Sequence, residues 1–92
     1  MLTFEWDDEK AQANYRKHGI AFEMAVAVFH DPLAMEIFDP DSGEDRFVII
    51  GQAELLVLAV VYTERGENIR LISARRATRK EHDAYYRENS QN

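Results

Sequence analysis

RFVIIGQAELLVLAVVYTERGENIRLISARR, residues 46–76, decides the fold. β-Branched and aliphatic residues fill Arg46 to Gln52 and Leu55 to Thr63. The second run is apolar at nearly every position, the pattern of a central strand covered on both faces. Glu64-Arg65-Gly66-Glu67-Asn68 makes a compact hairpin turn, and Ile69 to Arg76 begins to mix polar with apolar residues as the next strand. Thr78 stands three residues before Glu81, a capping box, so a closing helix starts at Thr78; its tail, Glu88 to Asn92, is expected to fray.

Working back from this stretch, Leu2-Thr3-Phe4-Glu5-Trp6 alternates as a short strand. Asp7 or Asp8 then caps a helix that runs to about His18 and stops at Gly19. Phe22, Ala25, Val26 and Phe29 recur at three and four, the buried stripe of a second helix ended by Asp31-Pro32. Leu33 to Phe38 reads as a strand, and Asp39-Pro40-Asp41-Ser42-Gly43 is dense in turn formers. The order is β-α-α-β-β-β-β-α: an α+β chain in which helices flank an antiparallel meander, with 92 residues enough for one domain over 1–92.

Cysteine is absent, which removes disulfides, thiolate metal sites and a cysteine nucleophile, and fits a reducing cytoplasm. The longest apolar run, Leu55 to Tyr62, is far short of the roughly 20 residues of a membrane helix, and the acidic start is unlike a signal peptide, so no membrane association is expected. The net charge of −6 argues against a general nucleic-acid binder, but the charge is divided. Residues 1–45 hold three basic residues (Lys10, Arg16, Lys17) against eleven acidic ones. Residues 65–80 hold six basic residues against Glu67 alone. The positive charge is local.

Two anion-binding devices meet in Arg70 to Glu81. Guanidinium forks match phosphate oxygens two at a time, and a helix start offers unpaired N–H groups at the positive end of its dipole. Strict alternation puts Arg70, Ala74 and Arg76 on one face with Ile72, and Ser73 and Arg75 on the other with Leu71; a one-residue shift in register exchanges the faces. The plain alternative is that these arginines are solvated charges or surface ion-pair partners. Proton-transfer candidates are Lys80, Glu81, His82 and Tyr62, with His18 and His30 more distant; capping, exposure and cross-strand packing compete for each. Cleavage beside a 2′-hydroxyl needs no metal where cations stabilise the charge developing on phosphorus. His18, His30, Asp31, Asp39 and Asp41 lack the spacing of a readable metal site, so neither metal nor cofactor is expected.

With Phe4-Glu5-Trp6-Asp7, Lys10 and Asn14, Lys17-His18-Gly19-Ile20, Phe22 and Ala25, Val28-Phe29 and Asp31-Pro32, the chain resembles the BrnT toxins of bacterial type II toxin-antitoxin pairs. The likeness continues through Arg46, Gly51, Val61-Tyr62-Thr63, Arg70 to Arg75, Ala77-Thr78 and Glu81. It implies a RelE-like fold, a ribonuclease that halts translation, and neutralisation by a BrnA-like antitoxin with a ribbon-helix-helix part. The complex, expected to be a heterotetramer, would reach operator DNA through the antitoxin alone. Carried over by position, Arg70, Arg75 and Arg76 would act at the phosphate with Tyr62 and His18 assisting, and Arg46, Arg79 and Lys80 would contact RNA. The acidic N-terminal half departs from the basic surface of RelE-type nucleases and implies a small footprint of two or three phosphates.

Two rivals stand beside this. One is a non-catalytic partner of a DNA-binding repressor, for which the last helix, with Ala84, Tyr85 and Tyr86 among charges, offers a surface that a partner could cover. The other is a metal-dependent nuclease.

Overall fold

The computed structural model describes residues 2–39 and 45–89. Strand β1 (Thr3–Glu5) leads into helix α1 (Asp8–His18), short helix α2 (Phe22–Ala25) and a 3₁₀ helix (Val26–His30). Strands β2 (Met35–Asp39), β3 (Arg46–Ala53), β4 (Leu56–Arg65) and β5 (Asn68–Arg76) follow, and helix α3 (Arg79–Asn89) closes the chain. Pro40 to Gly43 of the expected turn and residues 90–92 of the expected frayed tail lie outside the described residues.

Local chemistry sets the helix ends. Asp7 accepts from the backbone N–H of Glu9 at 2.8 Å and of Lys10 at 3.2 Å, and Gly19, at φ 72°, donates its N–H to the Tyr15 carbonyl at 2.8 Å. At α3, Thr78 and Glu81 form the capping box: the Thr78 N–H donates to Glu81 Oε1 at 2.8 Å and the Glu81 N–H to Thr78 Oγ1 at 3.2 Å.

The five strands make one sheet in the order β1-β5-β4-β3-β2, with β4 at its centre as its composition implies. The meander β2 to β5 is antiparallel, but β1 pairs with β5 in parallel. No hairpin ties β1 to its neighbour, so direction is set by docking: Phe4 packs edge-on to Phe29 at 5.1 Å while Glu5 aligns with Arg70. On one face α1, α2 and the 3₁₀ helix lay Ile20, Phe22, Ala25 and Val28 against Ile49, Leu58, Val60, Tyr62, Leu71 and Ala74. On the other, α3 inserts Tyr85 among Ile50, Val57 and Ala59. At about 1.5–3 kcal/mol per fully buried large apolar side chain, the first face carries most of the hydrophobic stabilisation.

Three local expectations are revised. The second helix tightens to 3₁₀ at Val26, and with three residues per turn the buried positions become Phe22, Ala25 and Val28, while Val26 and Phe29 are only partly buried. Leu55 does not open a strand: Ala53 pairs with Leu56, so Glu54 (φ 55°) and Leu55 form a two-residue turn, with Leu55 95% exposed. In β5, Ser73 pairs with Val61 but Leu71 with Tyr62, so Ile72 is the extra residue of a bulge.

Asp31 fastens the two layers. Its carboxylate accepts from the Gln52 N–H at 2.8 Å, the Tyr85 hydroxyl at 2.6 Å and the Leu33 N–H at 2.9 Å. Burial opposes its charge, yet these donors hold it below the ordinary aspartate value; burial and Asp31 together push the Tyr85 hydroxyl up to about 12. Beside it, a Cβ on Gly51 would stand 2.9 Å from Val28 Cγ1 and 3.1 Å from Asp31 Oδ2, so only glycine lets the 3₁₀ helix approach β3 this closely.

Candidate functional site

The bulge at Ile72 redistributes the arginines. Paired residues share a face, and β4 is regular, so its alternation fixes the faces of β5. Arg70 pairs with Thr63, Ser73 with Val61 and Arg75 with Ala59, all on the α3 side; Leu71, Ala74 and Arg76 pair with Tyr62, Val60 and Leu58 on the other. Strict alternation had joined Arg70 to Arg76 and set Arg75 apart. One extra residue reverses this: Arg70 and Arg75 share a face, and exposed Arg76 lies across the sheet from them.

Carboxylates hold both arginines that β5 places on the α3 side, in different ways. Arg75 is bound through two nitrogens, donating to Glu81 Oε1 at 2.7 Å and Oε2 at 3.1 Å. Arg75, aided by the Thr78 donors, holds Glu81 below the usual carboxylate range, and Glu81 raises Arg75 in return. Because Glu81 also accepts the Thr78 N–H, the anion position at the start of α3 is filled by the chain's own carboxylate. The expected coincidence of a helix terminus and free guanidiniums is therefore not met there. Among the described residues Arg70 is held through one nitrogen, which donates to Glu5 Oε2 at 2.8 Å.

α3 covers one end of its face, and the other end is an open groove of about 580 Å³. Lys10, Asp45, Arg46, Thr63, Glu64, Arg65, Arg70 and Ile72 line it. Among the described residues that line it four are cations and two are carboxylates, and Glu5, bonded to Arg70, adds a third carboxylate beside them. Arg46 is half-buried and pairs across strands with Thr63 and Asp39, so Arg46, Thr63 and Arg70 form one row over three adjacent strands. Thr63 Oγ1 donates to the Asp45 carbonyl at 2.8 Å, fixing the row's centre.

Of the expected site residues, the groove gathers Arg46 and Arg70 alone. Arg75 stands at the covered end. Arg79, its side chain 94% exposed and 3.9 Å from Asp83, and exposed Lys80 lie on the first turn of α3. Tyr62 belongs to the opposite face: it is 4% exposed, stacks on Phe47 at 5.4 Å and donates its hydroxyl to Glu36. Burial and Glu36 push its pKa well up, which removes it as a ready proton donor or base. His18 ends α1, the helix that packs against this same opposite face, and does not line the groove. Tyr85, expected on a partner-facing stripe, is 2% exposed and belongs to the chain's own core; Tyr86 beside it is exposed. Lys10, Arg65 and Thr63 were missed as groove residues. The register of a hairpin drawn from Arg65 to Asn68 could have placed Thr63 opposite Arg70, whereas Lys10 arrives through the parallel pairing of β1, which no local signal marks.

Among the described residues no three histidine, cysteine, aspartate or glutamate side chains come together as metal ligands, and no helix is long and apolar enough to cross a membrane. A search of curated proteins finds no match. A family model described as ribonuclease toxin, BrnT, of type II toxin-antitoxin system matches residues 6–81. That span runs from the end of β1 to the capping box of α3 and takes in every strand of the meander and the groove they carry. The chain belongs to the BrnT family of type II toxin-antitoxin ribonuclease toxins, a class that acts on RNA and has a protein antitoxin as partner.

Proposed function

We propose that this chain is a metal-independent ribonuclease of the cytoplasm that halts translation, and that it draws the RNA backbone into the groove of Arg46, Arg65, Arg70 and Lys10. The observation that carries this is Arg70: held at one nitrogen by Glu5, it keeps the rest of its five-donor fork for a phosphate, on the face where the other cations assemble. Arg75 ties β5 to α3 and keeps the groove's covered end rigid. Arg76, Arg79 and Lys80 are peripheral contacts at most, and Tyr62 and His18 support the fold. Aromatic side chains of the strands (Phe4, Phe38, Phe47, Tyr62) fall by register on the opposite face, so the groove offers no stacking platform and reads phosphates in preference to bases. Regulation follows the family pattern: a BrnA-like ribbon-helix-helix antitoxin joins the toxin in a heterotetramer and alone touches operator DNA.

A second reading, a non-catalytic partner of a repressor, draws on the same ion pairs, because carboxylates on Arg70 and Arg75 reduce the charge offered to RNA. Purified protein and single-stranded RNA, with and without a chelator, separate the cases. Equal cleavage in both is the expected result. Cleavage lost to the chelator and restored by one divalent ion overturns metal independence, and no cleavage in either arm selects the binding module.

A further inference from the structure

We propose that Glu5 is a positioning residue for the RNA site: anchored by Asn68, it grips Arg70 by one guanidinium nitrogen and aims the remaining N–H groups into the groove. This rests on the assignment of Arg70 to RNA phosphate. Parallel pairing sets Thr3 opposite Asn68 and Glu5 opposite Arg70, and alternation turns Phe4 to the core and Glu5 to the groove side. Both oxygens of Glu5 are engaged, Oε1 by Asn68 Nδ2 at 3.0 Å and Oε2 by Arg70 at 2.8 Å. A carboxylate fixed at two points leaves the guanidinium it holds little freedom to swing, and the neutral amide of Asn68 fixes it without competing for phosphate. The Asn68 and Arg70 hydrogen bonds, with Arg65 nearby, keep Glu5 below the ordinary carboxylate range, so it is charged at neutral pH.

The arrangement exchanges affinity for orientation. Glu5 cancels part of the Arg70 charge, which weakens RNA binding, while it removes the reorganisation that a free arginine would undergo as charge develops on phosphorus. A purely structural β1 contact has neither consequence. Glu5→Gln keeps an acceptor for Arg70, with Asn68 turning its own oxygen to the new amide, but loses the charge. Glu5→Ala loses both.

The test measures kcat and KM for cleavage of a labelled single-stranded oligoribonucleotide by the full chain, Glu5→Gln, Glu5→Ala, Arg70→Ala and the double variant, with thermal melts of each. For Glu5→Gln we expect KM to fall by up to about fivefold with kcat near the parent value. For Glu5→Ala we expect kcat to fall between about tenfold and a hundredfold with KM no higher. Glu5→Ala/Arg70→Ala should be no slower than Arg70→Ala alone. An unchanged kcat in Glu5→Ala, or an equal loss from Glu5→Ala in the Arg70→Ala background, overturns the inference. If Glu5→Ala does not fold, Glu5→Gln decides, and a large kcat loss there with an intact melt is contrary to the proposal. Full-rate cleavage by Arg70→Ala would instead sink the assignment of Arg70, and so separates the two failures.

Discussion

Replacing Arg70 by alanine is expected to slow single-turnover RNA cleavage by about 10²- to 10³-fold, the range for removing one preorganised donor from developing charge. The fold should survive the change, because the Arg70 side chain is 29% exposed and its partner Glu5 lies at the sheet edge. The salt dependence of RNA binding should lose about 0.7 log units of slope, one phosphate contact on single-stranded RNA. Arg76→Ala is the matched control. It removes the same charge from the same strand on the far face, and its cleavage rate should stay near the parent value. Equal losses in the two variants would mean that the sheet face is irrelevant and that the arginines act only through bulk charge.

Asn14→Leu is expected to cost about 3 kcal/mol or more, because it strips three partners from buried backbone at once. Asn14, 7% exposed, donates through Nδ2 to the carbonyls of Ile20 at 3.0 Å and Ala74 at 2.8 Å and accepts the Ala74 N–H at 3.1 Å. Leucine matches its size but leaves those groups unpaired, at about 1–3 kcal/mol each. For a domain of this length the melting temperature should fall by more than about 10 °C. A fall of only a few degrees in a circular-dichroism melt would show that the Ala74 groups find other partners and that α1 is not fastened to β5 in this way.

Sequence signals with local causes carried through to the structure. The caps at Asp7, Gly19 and Thr78 depend on residues within four positions, and the unbroken apolar run of β4 marks the centre of the sheet because only a strand covered on both sides can afford it. Features that depend on partners far along the chain did not. Glu5 and Arg70 stand 65 residues apart, so nothing near Arg70 shows that a carboxylate holds it. The bulge at Ile72 follows from how β5 fits β4, and a single extra residue was enough to exchange the faces of Arg75 and Arg76 relative to Arg70. The parallel docking of β1 brings Lys10 to the groove, and a strand of three residues carries no mark of its direction.

Several residues that carry the family resemblance have architectural reasons to be what they are. Asn14 bridges α1 to β5, Asp31 joins the 3₁₀ helix to β3 and α3, Gly51 makes room for Val28, and Glu81 serves the cap and Arg75 together. The chemistry is thinner. On the proposed assignment it falls to the cations of the open half of one sheet face, through which a protein of net charge −6 would meet RNA.

Titration of the isotope-labelled chain with a single-stranded RNA whose 2′-oxygens are methylated, and which therefore cannot be cleaved, tests the placement of the RNA most directly. Amide shifts concentrated at Arg46, Thr63, Arg65, Arg70 and Ile72 are the predicted result. Shifts centred on His18, Tyr62 and Arg76, with the groove silent, would contradict it.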